Sequence, residues 1–104
     1  MATGRLASVN ITNAATDTQL YACPSNKTSS FSLCMVNQTN AMVTVRIALT
    51  TSTSVTADAY VAYEVPIYPN EVYERSGLVI STGQYVYVRS STTGVNAVMW
   101  GYEE

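Results

Sequence analysis

Apolar side chains recur at every second position in short stretches of this chain, and Ser, Thr, Asn, Gly and Pro break each stretch. Val43, Val45, Ile47 and Leu49 point one way while Thr44, Arg46 and Ala48 point the other, the period of a half-buried strand. Phe31, Leu33 and Met35 alternate in the same manner with Ser30, Ser32 and Cys34, and Val86 and Val88 oppose Tyr85, Tyr87 and Arg89. Near the end, Asn96, Val98, Trp100 and Tyr102 alternate with Val95, Ala97, Met99 and Gly101. Both faces there carry apolar groups, which predicts a central or covered strand.

Strands are expected near 5–12, 18–23, 30–37, 42–51, 59–65, 71–80 (with a break at Gly77), 84–90 and 95–102. Turn signals separate them: Asn13 to Asp17, Pro24-Ser25-Asn26, Asn37 to Asn40, Pro69-Asn70, Thr82-Gly83 and Thr92-Thr93-Gly94. The Ser/Thr-rich run 50–56 lacks large side chains and reads as an exposed loop. With 104 residues the chain can build one core. The expectation is an all-β, single-domain antiparallel β-sandwich over residues 1–104, jelly-roll or Ig-like, with a small barrel as second choice. Its core should include Val43, Val45, Ile47, Val86, Val88 and Val98.

Composition narrows the function. The chain has no histidine, 12% charged residues and a net charge of −2. Arg5, Lys27, Arg46, Arg75 and Arg89 are scattered, whereas phosphate-backbone binding needs clustered cations. No nucleic-acid partner is therefore expected, and no apolar run is long enough to span a membrane as a helix. The Met-Ala-Thr-Gly-Arg-Leu start lacks the apolar core of a cleaved signal. Without one, the triplets at Asn10, Asn26 and Asn37 read as chance matches to the glycosylation sequon.

Cys23 and Cys34 are the only cysteines, too few for a zinc site without histidine. They read as free thiols on small buried or half-buried residues, with a disulfide across a hairpin as the alternative. No metal or cofactor is expected. A glycosidase-like pair could be drawn from Glu64, Glu71 and Glu74. Nothing in their spacing marks one, and Glu64 and Glu74 serve as well as strand-face partners of Arg75 or Arg89. Serine has neither a histidine base nor a Gly-x-Ser-x-Gly elbow. The expectation is a protein that is not an enzyme.

Tyrosine is the main aromatic residue, with 8 against a single Phe and a single Trp. Tyr suits half-buried sites where the ring packs and the hydroxyl meets water or a partner, although it also favours sheets generally. Tyr85 and Tyr87 share a strand face with Arg89 and are the leading interface candidates, followed by Tyr60 and Tyr63. A surface of Ser, Thr, Asn and Tyr with so little charge is typical of one partly covered by neighbours.

Several stretches together resemble a small domain of virion structural proteins of tailed bacteriophages, especially those of marine bacteria and cyanobacteria. They run almost end to end, from Arg5-Leu6 and Thr18-Gln19-Leu20-Tyr21 with Pro24, through Cys34-Met35-Val36-Asn37 and Val45-Arg46-Ile47-Ala48. Tyr60, Tyr63-Glu64, Pro69-Asn70 and Glu74-Arg75-Ser76-Gly77-Leu78-Val79 continue the series. Gly83, Val86, Val88-Arg89-Ser90 and the ending Trp100-Gly101-Tyr102-Glu103-Glu104 close it. The resemblance implies a β-sandwich on the virion surface, assembled in the host cytoplasm, with no catalytic motif to carry over. It also implies a free-standing accessory protein that binds the major capsid or tail protein and itself as a homo-oligomer, with a trimer expected.

Two functions fit. One is a capsid decoration (cement) protein; the other is a tail- or fibre-associated module that binds a host receptor or glycan. An exposed aromatic ring lined by Asn, Glu or Arg would favour adhesion, and a flat polar–apolar face with an extended terminus would favour decoration.

Overall fold

The computed structural model describes residues 2–104. Eight strands follow one another: β1 (Ala2–Asn10), β2 (Thr18–Ala22), β3 (Thr28–Asn37), β4 (Val43–Thr50), β5 (Tyr60–Ile67), β6 (Val72–Ser81), β7 (Tyr85–Ser90) and β8 (Val95–Glu103). Each lies within a few residues of its expected span. The residues around 51–59 form no strand, as their small side chains imply. Gly77 does not break β6. It sits at φ +73° in a bulge where Ser76 and Gly77 face Ser32, and the strand continues beyond it.

One sheet has the order β1-β8-β3-β6 and the other β2-β7-β4-β5. The antiparallel pairs are nested: β1 with β8, β2 with β7, β3 with β6 and β4 with β5. Only the β4–β5 connection stays within a sheet; the others pass between sheets. This winding is the jelly roll and not the Ig arrangement, which resolves the two expected forms of sandwich.

The inner faces meet in a core that contains Phe31, Leu33, Met35, Val43, Val45, Ile47, Val86 and Val88. Val98 does not belong to it. Val95, Ala97 and Met99 take the core side of β8, leaving Val98 half-buried on the outer face beside Cys34. The strand is central and apolar on both faces, so alternation alone left its inward set undecided. Gly101 permits the close approach of β8 to β3, since a Cβ there would lie 2.2 Å from the Ser30 carbonyl oxygen.

Polar pins close both ends of the sandwich. Fully buried Asn37 donates through Nδ2 to the carbonyls of Ala41 (2.8 Å), Ile67 (3.0 Å) and Tyr68 (3.3 Å). Its Oδ1 accepts from the Thr39 amide at 2.9 Å and the Thr39 hydroxyl at 2.6 Å. One side chain thus ties the β3–β4 turn to the β5–β6 turn, and its full burial makes it unsuitable as a glycan acceptor. At the other end, buried Glu103 accepts hydrogen bonds from Ser29 Oγ (2.8 Å) and the Tyr21 hydroxyl. Tyr21 belongs to one sheet and Ser29 and Glu103 to the other, so the carboxylate clasps the two layers.

Ile47→Ala should cost about 2–5 kcal/mol in urea unfolding because it empties a fully buried site. Val98→Ala, on the half-buried outer face, should cost less than half as much.

The clasp also sets a pH dependence. The Tyr21 and Ser29 hydroxyls hold Glu103 below the usual carboxylate range. Its contribution is present above the unfolded carboxylate pKa and is lost as pH falls through the lower folded value. Burial, then Glu103, pushes Tyr21 up to about 12 from 10.0. That contribution is complete below pH 10.0 and disappears as pH rises towards about 12. Urea midpoints measured across pH should fall on both flanks. Tyr21→Phe should shrink the alkaline fall and cost about 1–3 kcal/mol at neutral pH.

Candidate functional site

The outer face of the β2-β7-β4-β5 sheet carries the most developed side-chain cluster, and irregularities in β5 build it. A regular strand would send Tyr60 and Tyr63 to opposite faces. Here Ala48 pairs with Tyr60, Ile47 with Ala62 and Val45 with Val65, so Tyr63 and Glu64 both stand opposite Arg46. Glu64 accommodates the bulge at φ +51°, a left-handed conformation uncommon for a residue with a side chain. Tyr60, Tyr63, Glu64 and Arg46 are thereby gathered on one face. Pro66, which has no N–H to give, is tolerated because β5 is an edge strand.

Arg46 is the centre of this cluster. Its Nε lies 2.9 Å from Glu64 Oε2, and Nη1 donates to the Tyr60 hydroxyl at 3.4 Å. The guanidinium carbon is 4.3 Å from the Tyr63 ring centroid and 5.6 Å from that of Tyr60. The two rings meet edge to face, with centroids 5.0 Å apart at 72°. The bond to Glu64, then that to Tyr60, raises the Arg46 pKa further above its already high value. The guanidinium side chain is 19% exposed, whereas Tyr63 is 58% exposed. A fixed cation and acid therefore stand beside an open aromatic ring.

Depressions flank this ion pair. One of about 490 Å³ is lined by Arg46, Val55, Thr56, Ala57, Tyr60 and Tyr63. On the other side, about 130 Å³ lies among Ala15, Thr44, Arg46, Glu64, Arg89, Ser90 and Ser91. Arg46 lines both. The nearby Arg89 faces Asp17 at 3.9 Å, so each of these two cations has a carboxylate of opposite charge beside it.

The interface candidates divide. Tyr60 and Tyr63 belong to the cluster, and Arg89 lines its smaller depression. Tyr85 is half-buried on the same sheet face. Tyr87 points outward from β7 as expected, but the loop after β4 covers it. Its hydroxyl donates to Thr53 O (3.1 Å) and Gln19 Oε1 (3.2 Å), and the residue is only 8% exposed. Tyr87 is therefore a packing residue and is not available to a partner.

The acidic residues also sort out. Glu64 pairs with Arg46, neither Arg75 nor Arg89. Arg75 instead donates to the Val61 carbonyl at 3.1 Å, bridging the edges of the two sheets. Glu74, opposite Cys34, lies on the outer face of the other sheet, so the fold does not bring Glu64 and Glu74 together. Among the described residues no group of three or more His, Cys, Asp or Glu side chains could hold a metal ion. Sequence reasoning missed Arg46 and Glu64 as partners; their signal was one cation on the polar face of β4 and one acid beside Tyr63.

The opposite face of the sandwich is different in character. Half-buried Cys34, Val36, Val98 and Trp100 form its middle, while Val72 and Val79 are 57% and 56% exposed. A trough of about 440 Å³ crosses it over Gly77 and Gly101, between Val79 and Trp100. No family model, curated protein or solved structure matches the chain.

The cysteines lie on opposite sides of this sheet: Cys23 packs in the core, and Cys34 is on the outer face with its pKa raised by burial. Both are free. Thiol titration of protein unfolded without reductant should find two reactive groups, and intact mass should not change on reduction. A gain of two hydrogens' mass would mean a bond that this arrangement does not permit.

Proposed function

We propose that this chain is a non-enzymatic surface component of a tailed-phage virion. Its outer β2-β7-β4-β5 face is read as the recognition surface of a host receptor- or glycan-binding module. The observation that carries the reading is the exposed Tyr63 ring, backed by Arg46 and Glu64 and held there by a strained bulge. Side chains locked in place before a ligand arrives lose little freedom on binding. The left-handed Glu64 also keeps Ala62 and Ile67 on the core side of β5, and backbone strain of this kind is more common where a surface has work to do. The end-to-end resemblance to phage structural domains supports the virion location. The jelly-roll winding is compatible with it, since this architecture serves capsid and lectin domains alike, but fold alone does not assign function.

The decoration reading draws on the other sheet. Its outer face, with Val72 and Val79 exposed beside half-buried Val98 and Val36, offers a polar–apolar surface for a capsid or tail protein. The two readings use different faces and are compatible in one particle. A homo-oligomer, with the trimer as the expected form, would present several recognition sites together, and avidity would raise a modest affinity.

Purified protein should bind intact host cells, and Tyr63→Ala should reduce that binding about tenfold or more without altering thermal unfolding, as expected for a central aromatic anchor. Equal binding by the variant would remove the recognition surface from this face. Replacing Val72 and Val79 with Ser should instead lower occupancy in assembled particles if the opposite face is the attachment surface.

A further inference from the structure

We infer that the ligand of the Arg46–Tyr63 face is an uncharged saccharide of at least two residues, laid across the Arg46–Glu64 pair so that one unit occupies each flanking depression. The inference rests on the recognition role proposed for this face and concerns the chemistry of what it takes.

The charge of the face excludes the obvious alternative. A lone arginine in a cleft would attract a carboxylate, sulfate or phosphate. Arg46 is not alone: Glu64 holds its Nε at 2.9 Å, and the Tyr60 hydroxyl takes an Nη1 hydrogen. An anionic ligand would have to compete with Glu64 for the guanidinium while lying beside the Glu64 carboxylate itself. Arg89, which lines the smaller depression, is likewise faced by Asp17. The surface is thus charge-paired at both ends, and an anion gains little beside cations that each already face a carboxylate.

What remains suits a polyhydroxylated, electrically neutral molecule. The guanidinium keeps N–H groups not engaged by Glu64 or Tyr60, and the carboxylate keeps acceptor capacity, side by side at fixed spacing. Neighbouring hydroxyls of a sugar are donor and acceptor at once and can use both without disturbing the pair. The Tyr63 ring, 58% exposed, offers an apolar surface to the C–H side of a pyranose. Thr56 and Tyr60 line the larger depression and Thr44, Ser90 and Ser91 the smaller, so hydroxyl-rich walls continue on both sides. Volumes of about 490 and 130 Å³ joined only at Arg46 favour an extended chain over a single ring.

The test is a binding panel with immobilised neutral hexose and N-acetylhexosamine oligomers, set against sialylated and uronate-containing counterparts. The wild type should bind one or more neutral oligomers, a disaccharide or longer at least tenfold better than its monosaccharide. That binding should change less than twofold between low and high NaCl, and Tyr63→Ala should abolish it. Glu64→Gln keeps the side-chain shape but frees the Arg46 charge, so it should gain binding to the acidic oligomers, in a manner that salt suppresses. Tyr63-dependent binding that prefers acidic oligomers in the wild type would overturn the inference while leaving the recognition role intact. So would Tyr63-dependent binding to host cells whose glycans have been destroyed with periodate, which would indicate a protein receptor. Binding to neither panel nor cells, or binding indifferent to Tyr63→Ala, would overturn both.

Discussion

The contact between two apolar sheet faces governs the rest of this molecule. Phe31, Leu33 and Met35 from one layer meet Val43, Val45, Ile47, Val86 and Val88 from the other, and water excluded from that layer is the main source of stability. Because strand side chains alternate, committing these residues inward commits their neighbours outward. Arg46 faces outward because Val45 and Ile47 face inward. The nested pairing then sets which outward residues become neighbours: β4 lies between β7 and β5, so Arg46 sits opposite Arg89 on one side and beside Tyr63 and Glu64 on the other.

Much of the fold was legible for the same reason. Period-2 alternation and turn residues located all eight strands, because half-buried antiparallel strands advertise their inner face. The signal failed where that contrast vanished. In β8, Val98 and Trp100 are as apolar as Ala97 and Met99, and only the neighbours on either side determine which set is covered. Tyr87 was correctly placed outward, but the loop that buries it comes from residues far away in sequence. Strand order was not legible at all, since nesting is a property of long-range pairs.

The buried polar pins show a further limit. Asn37 and Glu103 look like turn and terminal residues in the sequence, yet each is more buried than many of the valines. Every polar atom they bury finds a partner, and among the described residues no buried side-chain N or O atom is left without one. Such pins are specific rather than strongly stabilising. Asn37 can bind only if the β3–β4 and β5–β6 turns already lie side by side, so it selects this winding against other sandwiches of similar core.

The candidate site depends on a departure from the same regularity. The sequence offered Tyr60 and Tyr63 each as an interface candidate, and an uninterrupted strand would separate them; the bulges of β5 bring both to one face. A left-handed Glu64 has no counterpart in the period-2 pattern and costs energy that a glycine would not. What that cost maintains is the position of a carboxylate against Arg46 and of a ring against the guanidinium. Straightening β5 would scatter the cluster over two faces and would also turn either Ala62 or Val65 and Ile67 away from the core, because the extra residue between Ala62 and Val65 is what keeps all three inward. Fold and site are therefore coupled here: the one irregularity that keeps both halves of this edge strand packed on the core also sets Tyr63 and Glu64 together against Arg46.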